Sequence, residues 1–308
     1  MHCSDRKEDK IMVGKQERRY QRMITVVLAL ISLIMVIPLV LLVVASFTSN
    51  NEIVLHGYSF FPKELSLEAY RYIWNERAQV FHAYGITILV TAIGTTIGVI
   101  MTLLYAYVLA HEKFPGKTFL AFYLFFTMLF NGGLVPTYIM YTRYLHMKNT
   151  IPALIIPGLL MSAFNVILTR TYIQSNVPAA LSEAAKIDGA TEFQVFRKVV
   201  LPMCKPIIAT VGLFAGLGYW NDWTNGLYYI TDTNKFSIQQ LLNNMIKNIE
   251  FLSKNANSNI NLASVGGGIP QETVRMAIAI VGLLPILIVF PFVQKYFVKG
   301  ISIGAVKG

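Results

Sequence analysis

Long apolar stretches alternate with shorter polar ones along this chain. Six of them hold about the 20 successive apolar residues that a helix needs to cross a hydrocarbon layer: roughly 23–47, 84–110, 118–136, 150–172, 206–230 and 273–294. None alternates with the period of two expected of a barrel strand. Only helices and closed barrels satisfy their own backbone groups in lipid. The pattern therefore predicts an all-α membrane protein with six transmembrane helices: a polar segment, 1–22, followed by one transmembrane domain, 23–308. The first apolar run, Met23 to Phe47, is longer than the core of a secretory signal, so it reads as an uncleaved span.

The spans are not uniformly apolar. Gly94 and Gly98 form a GxxxG pair, with Thr87, Thr91, Thr95, Thr96 and Thr102 along the same segment. That composition suits close helix packing. Pro38, Pro136, Pro157, Pro285 and Pro291 fall within spans and predict kinks.

Basic residues orient the bundle. With the N-terminus inside, 17 of the 26 Lys and Arg residues lie on the inner side and eight on the outer, with Arg275 at an outer edge. Cytoplasmic loops collect such residues, so both termini are expected in the cytoplasm. Two outer loops are long, Thr48 to Ala83 and Thr231 to Glu272. In the second, Ile238, Leu241, Leu242, Met245 and Ile249 recur at helical spacing, and the Asn/Ser/Gly tract after them reads as a loop. These loops serve as a docking surface for an external partner or as a lid over the bundle.

Composition agrees with a membrane protein. The 308 residues are 55% hydrophobic and 14% charged, with a mean hydropathy of +0.53. The formal net charge of +10 would suggest nucleic acid in a soluble protein. Here it follows the loops, so membrane lipid and not nucleic acid is the expected environment. Cys3 and Cys204 fall in inner segments without CxxC spacing, which argues against a disulfide or a metal site. No apolar stretch precedes Cys3, so MHC is not a lipoprotein signal.

One inner segment departs from its surroundings. LSEAAKIDGATEFQVFRKVVLP, Leu181 to Pro202, carries six charged residues between two apolar runs. Ser182 through Ala185 favours helix. Gly189 fits the left-handed position after a helix C-terminus, Thr191 fits the N-cap of a second helix, and Pro202 closes the unit. The prediction is a helical hairpin within a cytoplasmic loop at about 174–205. Val195, Phe196, Val199 and Val200 form its apolar patch. On these residues alone, a helix lying on the bilayer surface fits equally well.

The spacing Glu183-Ala184-Ala185, then Gly189 four residues on, then Val199-x-Leu201-Pro202 after nine more, resembles the EAA loop of ABC-importer permeases. The form EAAKIDGA is similar to that of the sugar-importing branch. The resemblance extends from about Met23 to Gly308. IPALIIPGLLMSAFNVILTRTYIQSNVP resembles the span before this loop in permeases like the second maltose-permease subunit. FNGGLVPTYIM and FVKGISIGAVKG resemble a subfamily associated with complex or acidic oligosaccharides.

The resemblance implies a type I ABC importer permease fold and a division of labour. The permease hydrolyses nothing and binds no cofactor. An ABC ATPase dimer, holding ATP and Mg, sits beneath this chain and a homologous second permease. An extracytoplasmic solute-binding protein delivers oligosaccharide to the outer loops. The hairpin enters a cleft on one ATPase. Glu183 pairs with a basic group there, Ala184 and Ala185 keep the approach close, Asp188 and Gly189 form the turn, and the patch around Phe196 fills the cleft before Leu201 and Pro202. The tail GISIGAVKG is expected to reach the ATPase interface or to remain a free end.

A sugar contact is suggested by GYWNDWTNGLYY. Tyr219, Trp220 and Trp223 offer faces for sugar rings, while Asn221, Asp222 and Asn225 offer partners for hydroxyls. An acid in or near a span is a functional candidate, although an interfacial aromatic belt has the same composition. Asn131 and Asn165 are further path candidates, or polar contacts between helices.

Rival classes find less in the chain. An intramembrane enzyme lacks HExxH, GxSxG and paired carboxylates within spans. A secondary transporter leaves the EAA loop unexplained. Import of a non-sugar solute by the same machinery remains an alternative. GGGIPQET has the glycines of a P-loop without its Lys-Ser/Thr, so the ATPase is a separate polypeptide.

Overall fold

A computed structural model describes residues 5–111, 114–256 and 271–304. Cys3, the Asn/Ser/Gly tract and the last four residues of the tail lie outside them. The regular elements among the described residues are all helices, and an isolated bridge, Thr48 to Leu65, is the β pairing they contain. The chain divides into two compact units, residues 1–75 with 252–281 and residues 76–251 with 282–308.

The first unit opens with α1, Asp5–Ser46, followed by α2, Asn50–His56, and α3, Glu68–Asn75. Pro38 sits inside α1 without ending it. The α1 span leaves every face uncovered: no residue of its most apolar window is buried. Beyond α1 the chain is tied locally. The Ser46 and Tyr70 hydroxyls are 2.8 Å apart, Phe47 stacks on Tyr70, and the Glu272 amide donates to Asn50 Oδ1.

The second unit is built on α4, Arg77–Ala110. It continues through α5, Lys117–Leu129, and α6, Leu134–Ile139, then α7, Pro152–Ile155, and α8, Ala163–Asn176. Next come α9, Ala179–Ile187, α10, Glu192–Val195, α11, Leu201–Met203, and α12, Lys205–Trp220. The outer segment holds α13, Thr224–Tyr229, and α14, Ile238–Ala256. Ile238, Leu241, Leu242, Met245 and Ile249 are all buried, as the helical spacing required. Helix α15, Gln271–Gly304, closes the chain and contains Pro285 and Pro291 without interruption.

Among the described residues, three helices are long and apolar enough to cross a membrane, Arg19–Ser46, Arg77–Ala110 and Gln271–Pro291, and up to five spans result if each bent pair counts as one. The pair α5 with α6 and its continuation to Tyr144 bends by 114°, and Glu192–Met203 with α12 bends by 81°. The segment 150–172 is not one helix. It breaks between α7 and α8, where Pro157 removes a donor and Gly158 follows with φ of +71°. Prolines therefore act unequally: Pro157 accompanies a break, while Pro38, Pro285 and Pro291 are absorbed into continuous helices.

Close packing centres on α4, which lies against α12 and α8. A Cβ added at Gly94 would overlap the Tyr219 ring, and one at Gly98 would sit 2.7 Å from the Leu160 carbonyl oxygen. The GxxxG pair is thus used for close approach, as small residues in spans are.

Candidate functional site

The charged hairpin folds as its residues dictate. Helix α9 ends with the Ala190 amide donating to the Ala185 carbonyl at 2.9 Å and the Gly189 amide to the Lys186 carbonyl at 3.0 Å. This pair of bonds is the Schellman closure, and it requires the left-handed residue that Gly189 supplies at φ of +82°. Asp188 is the C-cap through its own amide, which donates to Ala184. Thr191 then starts α10 with a capping box: its hydroxyl accepts from the Gln194 amide, and the Gln194 side chain accepts from the Thr191 amide at 2.8 Å. From Phe196 to Val200 the helix widens into a π turn.

One side of the hairpin faces the bundle. Val195, Val200 and Cys204 are buried in a core with Leu109, Val166 and Val211, where Cys204 acts as an apolar filler. Phe196 packs on the Tyr107 ring, with centroids 5.1 Å apart, and Leu201, Ala185 and Ala190 rest against the same core. The patch expected to fill a partner's cleft therefore roots the hairpin in its own bundle. Pro202 sits in the short helix α11. Facing outward are Glu183 and Ala184, both exposed, with Ile187 at 86% exposure and Phe193 at 66%.

A polar joint ties the turn to α4. The Tyr107 hydroxyl donates to Glu192 Oε2 at 3.0 Å, and His111 Nε2 is 3.7 Å from the same oxygen. Lys186 pairs with the other oxygen, Oε1. Hydrogen bonding from Lys186 above all, and then from Tyr107, holds the Glu192 carboxyl below the usual carboxylate range against partial desolvation. Sequence reading missed this joint and the outward pair of Ile187 and Phe193. Tyr107 and His111 are one helical turn apart, but nothing local announces that they meet Glu192, 85 positions beyond Tyr107.

The expected sugar contacts separate into different environments. Tyr219 is 2% exposed and donates to the Ile155 carbonyl at 2.9 Å. Trp220 is buried and its Nε1 donates to the Gly282 carbonyl at 3.2 Å. Asp222 Oδ1 accepts from the Thr224 and Asn225 amides at 3.0 and 3.2 Å, capping α13. The Asn225 side chain donates to the Pro157 carbonyl. Asn221 is exposed and bonds back to Leu217. Trp223 is 44% exposed with the Lys247 ammonium 5.9 Å from its ring centre. Asn131 accepts from the Gly133 amide within its own loop, and Asn165 is buried on α8. A cavity of about 620 Å³ lies between α4, α12 and α15, walled by Thr91, Thr95, Gly212, Gly216, Trp220 and Pro285 among others. Among the described residues no cluster of three His, Cys, Asp or Glu side chains could hold a metal ion.

Comparisons with known proteins agree with this architecture. The chain is 35% identical to the polygalacturonan/rhamnogalacturonan transport system permease protein YtcP of Bacillus subtilis (strain 168), over 95% of this chain and 100% of that protein. It is 28% identical to the melibiose/raffinose/stachyose import permease protein MelC of the same organism, over 93% and 97% of the two chains. A solved bacterial ABC transporter involved in the import of the acidic polysaccharide alginate superimposes with a TM-score of 0.72 and 28% identity, over 92% of this chain and 98% of that one. The profile of one family, the binding-protein-dependent transport system inner membrane component, matches residues 94–303. A helical bundle with apolar spans, interrupted by a hairpin of EAA type, thus belongs to the family of binding-protein-dependent transport system inner membrane components.

Proposed function

We propose that this chain is one of two permeases of an ATP-driven oligosaccharide importer, coupled to a separate ATPase through the hairpin of α9 to α11. One observation carries the coupling reading. The hairpin is rooted by Val195, Val200 and Phe196 yet presents Ile187 and Phe193 to the outside. Large apolar side chains exposed on a charged segment between spans suit a protein contact. The cleft-filling role expected of Phe196 passes to these two residues. Glu183 remains the acid available for a basic group on the ATPase, and Ala184 leaves room for close approach.

The relatives' names support oligosaccharide as the cargo. Polygalacturonan and alginate are acidic, which favours an acidic oligosaccharide. A solute-binding protein delivers it to the outer side, and ATP with Mg binds on the partner ATPase. A cytoplasmic position for both chain termini is supported by the distribution of basic residues. Of the suggested sugar contacts, Trp223 and Asn221 have the exposure to meet a ligand and Trp220 walls the cavity, while Tyr219 serves packing.

The test is affinity purification of this chain from detergent, with mass spectrometry of what accompanies it. Recovery of a second permease and an ATPase is expected, and a binding protein recovered with them should then prefer acidic to neutral oligosaccharides. Recovery of this chain alone under several mild detergents would overturn the coupling reading.

A further inference from the structure

The joint around Glu192 has no place in the coupling contacts described so far. Glu192 is a side chain of the hairpin turn, 60% exposed, and its carboxylate is engaged within its own chain. It takes three groups at once. Lys186 comes from the preceding helix of the hairpin, and Tyr107 and His111 come from the last turn of α4. The rings reinforce this geometry. Tyr107 lies 4.7 Å from His111 and 5.1 Å from Phe196, centroid to centroid. A single exposed ion pair adds little to stability. A carboxylate shared by two hairpin arms and a transmembrane helix instead fixes their relative register.

What α4 does makes that register matter. It packs along α12 and α8, and its Ile88, Thr91 and Thr95 wall the cavity of the second unit. A hairpin displaced by a partner moves α4 only through groups that join the two. The apolar root holds the hairpin against α4, but hydrophobic burial by itself is not directional. The hydrogen-bonded carboxylate is directional.

We propose that Glu192 is a positioning residue that locks the hairpin to α4 through Tyr107 and His111, so that motion of the hairpin reaches the wall of the cavity. This rests on the coupling role proposed above. It extends that role to a residue that need not touch the ATPase.

The experiment uses the assembled transporter, with a fluorescent unnatural side chain at Ile88 reporting the cavity. Trapping the ATPase with ATP and vanadate should change the fluorescence of the wild-type assembly. Glu192→Ala should still co-purify the ATPase and hydrolyse ATP, while the fluorescence change falls at least fivefold. In a background of Cys3→Ser and Cys204→Ala, the pair His111→Cys with Glu192→Cys should show the same loss. Bridging the two thiols with a bifunctional reagent should restore the change. An undiminished signal in Glu192→Ala overturns the proposal. If that variant does not assemble, the thiol pair decides, and bridging without recovery of the signal overturns it. Absence of the ATPase from the wild-type assembly is a separate failure, of the coupling role itself, and is seen before Glu192 is altered.

Discussion

At the scale of single residues, two glycines carry opposite demands. Gly98 is needed for space, since a Cβ there would lie 2.7 Å from a backbone oxygen that cannot swing away. Gly189 is needed for conformation, since its φ is +82° and a Cβ would meet nothing within 4 Å. Gly98→Ala should therefore cost about 1–3 kcal/mol, as overpacking does, and lower the unfolding midpoint in detergent. Gly189→Ala should cost about 1–2 kcal/mol locally and Gly189→Asn less, because Asn tolerates the left-handed region. Hydrogen exchange at the amides of Ala185 to Gln194 would read the second effect. Equal protection in the wild type and Gly189→Ala would remove the argument that the turn depends on glycine.

At the scale of elements, the hairpin has an inner and an outer side, and substitutions should separate them. Ile187→Glu and Phe193→Glu alter side chains already in solvent, so the melting midpoint should move little while ATPase recovery in a pull-down falls tenfold or more. Phe196→Ala should do the reverse, losing about 2–3 kcal/mol of stability from a half-buried aromatic before recovery changes. Loss of ATPase recovery with Phe196→Ala alone, at unchanged stability, would restore Phe196 as the cleft filler. The joint at Glu192 adds a pH dependence. Its folded carboxyl titrates below the ordinary value of about 4.3. Its stabilisation is then fully present above that ordinary value and is lost as pH falls through the depressed one. Glu192→Gln should reduce hairpin protection by no less at pH 6 than at pH 8. A difference that shrinks as pH falls from 8 to 6 would contradict the depressed carboxyl.

Much of this element was legible in the sequence. Gly189, Thr191 and the buried helical stripe of α14 are local signals, decided by residues within one or two turns. The side that Phe196 faces was not legible, because a hairpin with two apolar surfaces does not say which one the bundle covers. Tyr219 and Asp222 show the same limit. Their composition suits a sugar site, but the Ile155 carbonyl and the amides of α13 already occupy their polar atoms. The break in 150–172 was also ambiguous, since Pro157 reads the same as Pro38, which a long helix absorbs.

At the scale of the whole molecule, the distribution of charge and the uncovered α1 point to one environment. The most apolar window of α1 is long and apolar enough to cross a membrane, so its surface suits lipid. The 17 cations on the expected inner side against eight on the outer predict insertion with both termini in the cytoplasm. Single cysteines introduced in a cysteine-free background make this testable in intact cells and inverted vesicles. Lys198→Cys, on the hairpin, should react with an impermeant thiol reagent only in inverted vesicles, and Lys63→Cys and Lys148→Cys only in intact cells. Reaction of Lys198→Cys from outside would put the hairpin on the wrong side of the membrane for any cytoplasmic ATPase. The coupling role would then fall, whatever the contacts of Ile187, Phe193 and Glu192.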